Sequence, residues 1–205
     1  MKIFNGIVLL LFAACVVRAQ SPAAHNLEKG TWELGVFAGG GTGLGHSFNT
    51  QFLYAGGRVG RVMIGEHLHG WMRGNFEFAG DFMPVYMVLA PNENIYGGSF
   101  KPVILQWNFT SRKRIVPYLA VAGGVLFTTR NVPPGLFVKS HSPPGPTSNV
   151  NFTPQGVFGA HIFVKPNRAL LLETAIVHHS NASLGRFNPG YNAAFLFSIG
   201  YTWFK

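Results

Sequence analysis

The residues best suited to do chemistry lie close together in the last part of the chain, at His178 and Ser180. A serine hydroxyl beside an imidazole can become a nucleophile, because the imidazole removes the hydroxyl proton during attack. Two residues that are two apart share one face of a β-strand. A His-x-Ser triplet is more often the polar end of a strand than a site, so the surrounding elements must decide between these interpretations.

The residues that precede the triplet predict which face it occupies. The face of His178 and Ser180 also carries large apolar residues, which are Leu170, Leu172 and Ile176. The opposite face carries Glu173, Ala175, Val177 and His179. In a membrane β-barrel, strands alternate between an apolar face toward lipid and a more polar face toward the lumen. We therefore expect His178 and Ser180 at the lipid-facing end of a strand and His179 in the lumen.

The same alternation recurs along the chain and is clearest at its C-terminal end. Large residues fall on one face, at Phe195, Phe197, Ile199, Tyr201 and Trp203. Smaller or more polar residues fall on the other, at Ala194, Leu196, Ser198, Gly200 and Thr202. A soluble β-sandwich would turn its large residues inward and place charges outside. With only 11% charged residues in the chain, this pattern favours a wall that faces lipid.

The sequence predicts an all-β fold, an eight-stranded antiparallel transmembrane β-barrel. The predicted strands are at about 31–40, 51–63, 69–79, 99–110, 115–128, 152–164, 168–180 and 191–204. Short turns alternate with longer connections, which are expected at 41–50, 80–98, 129–151 and 181–190. In outer-membrane barrels the short turns face the periplasm and the long loops face outward. We therefore expect both termini in the periplasm and His178 at the outer surface.

The first residues have the pattern of a secretory signal peptide, a positive start followed by the apolar run Ile7 to Cys15 and small residues up to Ala19. We expect residues 1–19 to be removed and residues 20–205 to form a single outer-membrane barrel domain. A lipoprotein signal ending before Cys15 is the alternative, and the bulky Phe12 fits that signal poorly.

The charge balance bears on the partners. The chain has 16 basic and 7 acidic residues, a net charge of +9, which becomes +7 if Lys2 and Arg18 leave with the signal peptide. The basic residues form only one run, at 112–114, so nucleic acid is not a predicted partner. A positive surface suits anionic lipid or lipopolysaccharide.

We also expect Arg73 and Glu77 to form a polar pair in the lumen.

The sequence gives no reason to expect a metal or a cofactor. His67 and His69 could lie on one strand face, but no third ligand is evident, so they are expected to flank a turn. The single cysteine lies inside the predicted signal peptide, which excludes thiol chemistry and disulfides from the mature chain.

Two segments resemble a known family. The segment His178 to Gly185, followed by Asn188 to Asn192, is similar to the signature of outer-membrane lipid A 3-O-deacylases, which are PagL-type and related to acyloxyacyl hydrolases. Pro117 to Gly124 resembles the fifth strand of that family. The resemblance implies an eight-stranded barrel that removes an ester-linked acyl chain from lipid A with a Ser-His-acid triad and no metal.

By this resemblance Ser180 is the nucleophile and His178 is the general base, while Asn181 positions the motif or the oxyanion. The family's acid is typically Glu, and this chain has Asn192 in its place. Asn can hold a histidine tautomer but does not stabilise an imidazolium by charge. Glu173 is a poor substitute, because it lies on the opposite face about 17 Å along the strand from His178.

The sequence therefore predicts an outer-membrane serine esterase that acts on lipid A or a related acylated glycolipid, as a monomer or a homodimer. Two alternatives stay open. One is a catalytically silent barrel with a structural or lipid-binding role, because Asn192 replaces the acid of the family's triad. The other is a soluble lipocalin-like carrier, which would also have eight strands.

Overall fold

The computed structural model describes residues 27–45, 49–91, 93–111, 114–132, 147–185 and 193–205. In these ranges the segments with alternating apolar and polar residues form nine β-strands. The strands are β1 (Trp32–Gly43), β2 (Gln51–His67), β3 (Gly74–Ala90), β4 (Glu93–Phe109), β5 (Ile115–Val132), β6 (Ser148–Phe152), β7 (Gln155–Lys165), β8 (Arg168–His178) and β9 (Ala193–Phe204). A short 3-10 turn, Gly70–Met72, precedes β3. Within these described ranges no helix is long and apolar enough to cross a membrane.

The strands form one closed antiparallel barrel. β1 pairs with both β2 and β9, and β4 pairs with β5, so the sheet closes on itself. β6 and β7 both pair with β5 and are separated by Thr153 and Pro154. Proline has no amide hydrogen to give to the ladder, so these two segments are one interrupted strand. The barrel therefore has eight strands around its wall, and the predicted fold class is confirmed.

The register fixes the slope of the strands. Following paired residues once around the wall from Phe204 returns to β9 at Ala194, a stagger from position 204 to position 194. With a rise of about 3.3 Å per residue and a strand spacing of about 4.8 Å, that stagger gives a tilt of about 40°. β8, from Arg168 to His178, then rises about 25 Å along the barrel axis. This height matches the apolar band of outer-membrane barrels.

The predicted faces of β8 and β9 are confirmed. On the outside, exposed apolar side chains include Leu170, Ile176, Phe195, Phe197 and Ile199. On the inside, buried residues include Glu173, Ala175, Val177, Leu196 and Ser198. The alternation therefore identifies the lipid face and the lumen without any knowledge of the pairing.

The connection expected at 80–98 is wrong, because the structure has a hairpin there. β3 continues to Ala90 and β4 begins at Glu93. The register shifts between Met83 and Tyr86, so a bulge with Pro84 on the exposed side breaks the alternation. The long strand is therefore hidden from a simple period-two search.

Positions 41–43, expected in the first long connection at 41–50, are also part of a strand, β1. At Gly41 an added Cβ would collide with the backbone oxygen of Phe195 on β9. The close approach of the two strands requires glycine at this position.

Charged residues fill the middle of the lumen. Arg58 donates to Asp81 through Nε at 2.7 Å and through Nη2 at 3.0 Å, and Nη2 also donates to Oε2 of Glu173 at 2.9 Å. Tyr118 donates its hydroxyl to the same Glu173 oxygen at 2.8 Å, and Lys101 Nζ lies 3.4 Å from Asp81. Two cations thus face two carboxylates, which is how buried charge is tolerated. We call these five residues the lumenal charge network.

The expected pair of Arg73 and Glu77 is not formed. Arg73 lies in the turn before β3, where strand alternation does not apply, and it faces Glu66 at 3.8 Å. Glu77 is buried in the lumen and accepts a hydrogen bond from Asn108 Nδ2 at 2.8 Å.

Candidate active site

β8 leads to the predicted catalytic residues at the end of the barrel opposite the rim where Trp32 and Lys205 meet. β8 ends at His178, and alternation continues through the next two residues. His179 is buried on the lumen side, whereas His178 and Ser180 are half-buried on the outer side, on the face of Ile176. The structure thus places His178 and Ser180 on one outward face.

The backbone of this triplet is fixed by the interrupted neighbouring strand. Ser180 and Phe152 form an isolated antiparallel bridge, with Ser180 N donating at 3.0 Å and Phe152 N donating at 2.6 Å. His178 N donates to the carbonyl oxygen of Pro154 at 2.9 Å. The break at Pro154 therefore leaves a carbonyl that still holds the end of β8.

A tight turn follows Ser180 directly. Leu184 N donates to the carbonyl oxygen of Asn181, and the two central residues, Ala182 and Ser183, have φ values of 47° and 66°. Such a turn normally uses Asn and Gly, and each non-glycine residue held in the left-handed region costs on the order of 1 kcal/mol or more. The strain lies immediately beside Ser180, as it often does at functional sites.

Side-chain acceptors complete this turn. Ala182 N donates to Ser180 Oγ at 3.3 Å, and Ser183 N donates to Asn181 Oδ1 at 2.9 Å. Asn181 is buried, with 1% of its surface exposed. The side chains of Ser180 and Asn181 therefore both interact with the backbone that fixes the turn.

The fourth predicted site residue, Asn192, lies outside the described residues. The residue that follows it, Ala193, pairs with His178 across β8 and β9. The structure therefore describes three of the four predicted residues, with His178 and Ser180 half-buried and Asn181 buried.

An apolar groove runs across the outer wall below His178. Registers of β4, β5, β7, β8 and β9 align an upper row of outward residues, which are Leu105, Val121, Gly156, Ile176 and Phe195. A lower row consists of Phe76, Trp107, Leu119, Phe158 and Thr174. The depression between them has a volume of about 610 Å³. At Gly156 nothing lies within 4 Å of where a Cβ would stand, so the upper row has a gap there.

The sequence of this barrel matches a known protein family. A family profile described as lipid A 3-O-deacylase (PagL) matches residues 40–202, which is most of the chain. The chain belongs to the lipid A 3-O-deacylase (PagL) family. No curated protein sequence matches it.

Two solved structures resemble this family member in fold. One is the crystal structure of the outer membrane enzyme PagL, with 17% sequence identity and a TM-score of 0.51, covering 82% of this chain and 97% of that chain. The other is the N-terminal β-barrel domain of Pseudomonas aeruginosa OprF, with 11% identity and a TM-score of 0.50, covering 85% of this chain and 98% of that chain. At these identities the likeness concerns the fold alone.

A metal centre is not found in the part of this PagL-family chain that the structure describes, where no three His, Cys, Asp or Glu residues are grouped to hold an ion. His67, at the end of β2, instead places Nδ1 at 2.8 Å from the carbonyl oxygen of Gly65.

Sequence reasoning missed the lumenal partners of the triplet. His179 stacks on Phe52 of β2, with ring centroids 5.2 Å apart and an angle of 4° between the planes. Its Nε2 lies 3.4 Å from the hydroxyl of Tyr86 on β3. Phe52 and Tyr86 are distant in sequence from His179, so no local pattern could reveal these contacts.

Proposed function

We propose that this chain is an outer-membrane serine esterase that hydrolyses an ester-linked acyl chain of lipid A, as a 3-O-deacylase. The observation that carries the proposal is the family match over residues 40–202. Membership in this family supports an outer-membrane location and a lipid A deacylase activity. The finer assignment to Ser180 and His178 is supported by their shared outward face at the end of β8.

The direction of the barrel supports a site in the outer leaflet. Both ends of the described barrel meet at one rim, where Trp32 N donates to the carbonyl oxygen of Lys205 at 2.7 Å. In outer-membrane barrels the rim with the termini faces the periplasm. His178 and Ser180 lie at the opposite rim, about 25 Å higher. We propose that this is the level of the lipid A headgroups and ester bonds.

The groove supplies a surface for the acyl chain of the substrate. It begins at Ile176 and Phe195, about 13 Å along the strand from Ser180, and its lining is almost entirely apolar. A volume of about 610 Å³ is in the range of small-molecule sites. An acyl chain whose carboxyl end lies at Ser180 would descend past His178 into this groove.

In the proposed reaction, Ser180 Oγ attacks the ester carbonyl carbon while His178 accepts the hydroxyl proton. The bond between the carbonyl carbon and the sugar oxygen then breaks, and His178 returns the proton to that oxygen. Water attacks the acyl-serine in the same way, with His178 again accepting and returning the proton. Free fatty acid leaves and Ser180 regains its hydroxyl.

Asn181 and Asn192 would act by positioning. The buried Asn181 fixes the turn after Ser180 through its bond from Ser183 N. We propose that Asn192 stands in for the family's acid by holding the tautomer of His178, as Asn does in Cys-His-Asn sites. What supports this role is the resemblance that sets Asn192 at the position of the family's acid. A single chain supplies every residue that the proposed reaction uses.

Mass spectrometry of lipid A from cells with and without the protein tests the proposal. We expect loss of one acyl chain with the wild type and no loss with Ser180→Ala, because the nucleophile is gone. Ser183→Ala, three residues away in the same turn, is the matched control and should keep the activity. Folding of each variant is checked by its heat-dependent shift on a gel. A folded wild type that leaves lipid A intact and releases no fatty acid would contradict the proposal.

A further inference from the structure

We infer that His179 is a positioning residue of this site, which holds His178 and Ser180 in place by stacking on Phe52 inside the lumen. The inference rests on the proposed function, because it concerns how the proposed catalytic pair is held. His179 does not touch the outer face itself, so it would act through its two neighbours.

The contact is made by buried rings on three strands. His179 is 3% exposed and lies parallel to Phe52, which is 4% exposed. Phe52 meets the ring of Tyr86 edge to face at 6.2 Å, and Tyr86 stacks on Tyr54 at 5.7 Å. Tyr54 is itself tied to β9, since its hydroxyl lies 2.8 Å from Ser198 Oγ. We call these four residues the aromatic stack.

The aromatic stack adds a restraint from inside the lumen just beyond the end of β8. β8 ends at His178, and the backbone of Ser180 exchanges hydrogen bonds with Phe152 on the neighbouring strand. Those bonds lie in the wall of the barrel, whereas the ring of His179 is held from within. Because side chains alternate, a ring fixed inside at position 179 sets the direction of both outward neighbours.

The chemistry of the site also favours a buried, neutral ring at this position. Burial, with a further contribution from the neighbouring His178, lowers the pKa of His179 to about 4. Among the described residues, Phe52 from β2 and Tyr86 from β3 contact its ring, and neither carries a charge. A neutral His179 does not repel the positive charge that His178 would acquire during attack.

The test measures kcat and KM for ester hydrolysis by the full chain in mixed micelles of detergent and lipopolysaccharide. For His179→Ala we expect kcat to fall at least tenfold with KM within twofold of the wild type. His179→Phe, which keeps a ring against Phe52, should retain kcat within about threefold. Leu171→Ala removes lumenal packing from the same strand about 26 Å from His179, so kcat should stay near the wild-type value.

The outcomes separate this inference from the proposed function. A wild type without activity refutes the proposed function and this inference with it. An active wild type with an equally active, folded His179→Ala overturns only the positioning role, as does an equal loss in a folded Leu171→Ala. If His179→Ala does not fold, His179→Gln, which is polar but lacks a ring, decides instead. A tenfold lower kcat there supports the role, and a kcat within twofold of the wild type refutes it.

Discussion

The two halves of the barrel are stabilised in different ways. In the middle and toward the termini, the lumenal charge network joins β2, β3, β4, β5 and β8, and an apolar cluster closes the rim, formed by Leu27, Val62, Val116, Phe163, Ala169 and Phe204. Toward the loops, neutral rings replace the charges, the ladder is interrupted at Pro154 and a strained turn follows Ser180. The comparison indicates that one half provides stability and the other gives up part of it for the proposed site.

Arg58→Met should have the largest effect on stability. The substitution leaves Asp81 and Glu173 buried with too few partners, and breaking a buried ion pair in this way costs about 3–5 kcal/mol. Arg61→Met on the same strand is the control, because Arg61 lies outside and stacks on Trp32 at 5.1 Å. Urea unfolding in micelles, followed by the gel shift, measures both. Equal unfolding midpoints would refute the stabilising role of the lumenal charge network.

The second prediction concerns pH and the other half of the barrel. Because the pKa of His179 falls from 6.5 to about 4 on folding, the unfolded chain binds more protons between these values. The contribution of the neutral, buried His179 to the free energy of unfolding is therefore complete above pH 6.5. As the pH falls from 6.5 to 4, that free energy decreases by up to about 3 kcal/mol. Other groups titrate in the same range, so the difference between the wild type and His179→Phe isolates this contribution. Parallel curves of stability against pH for the two proteins would contradict the assignment.

The sequence predicts the features that depend on local alternation. It does not predict contacts between residues that are far apart in the chain. The faces of β8 and β9 follow from period two, so the shared outward face of His178 and Ser180 could be found without a structure. The hairpin of β3 and β4 was missed because a bulge between Met83 and Tyr86 breaks the period. Contacts across the lumen join residues that no local window contains together.

The same limit applies to the site. The resemblance picks out His178, Ser180, Asn181 and Asn192, all within two short segments of the chain. Alternation also places His179 in the lumen correctly, but its partner Phe52 is found only once β2 and β8 face each other across the barrel. The groove depends on the alignment of six strands. The gap in its upper row depends on Gly156, which nothing in the sequence distinguishes from the other glycines.

The last prediction tests whether the groove, rather than the rest of the outer wall, binds the acyl chain. The two substitutions compared should hardly change the stability of the barrel. Gly156 and Gly123 both face outward, both have nothing within 4 Å of an added Cβ, and neither has a positive φ. Only Gly156 lines the groove, whereas Gly123 lies on β5 opposite Val103. Leucine at Gly156 would fill the gap through which we expect the acyl chain to pass.

Gly156→Leu should therefore hydrolyse long-chain esters at least tenfold more slowly, while a butyrate ester, which does not reach the groove, is cleaved within twofold of the wild-type rate. Gly123→Leu should change neither rate, and both variants should unfold at the wild-type urea concentration because the new side chains meet only lipid or detergent. Rates for esters of increasing chain length, from four to sixteen carbons, measure the point at which the two variants diverge. Identical chain-length profiles in the two variants would show that the acyl chain lies elsewhere on the wall. A loss on butyrate as well would show that Gly156 affects the catalytic pair rather than the path of the chain.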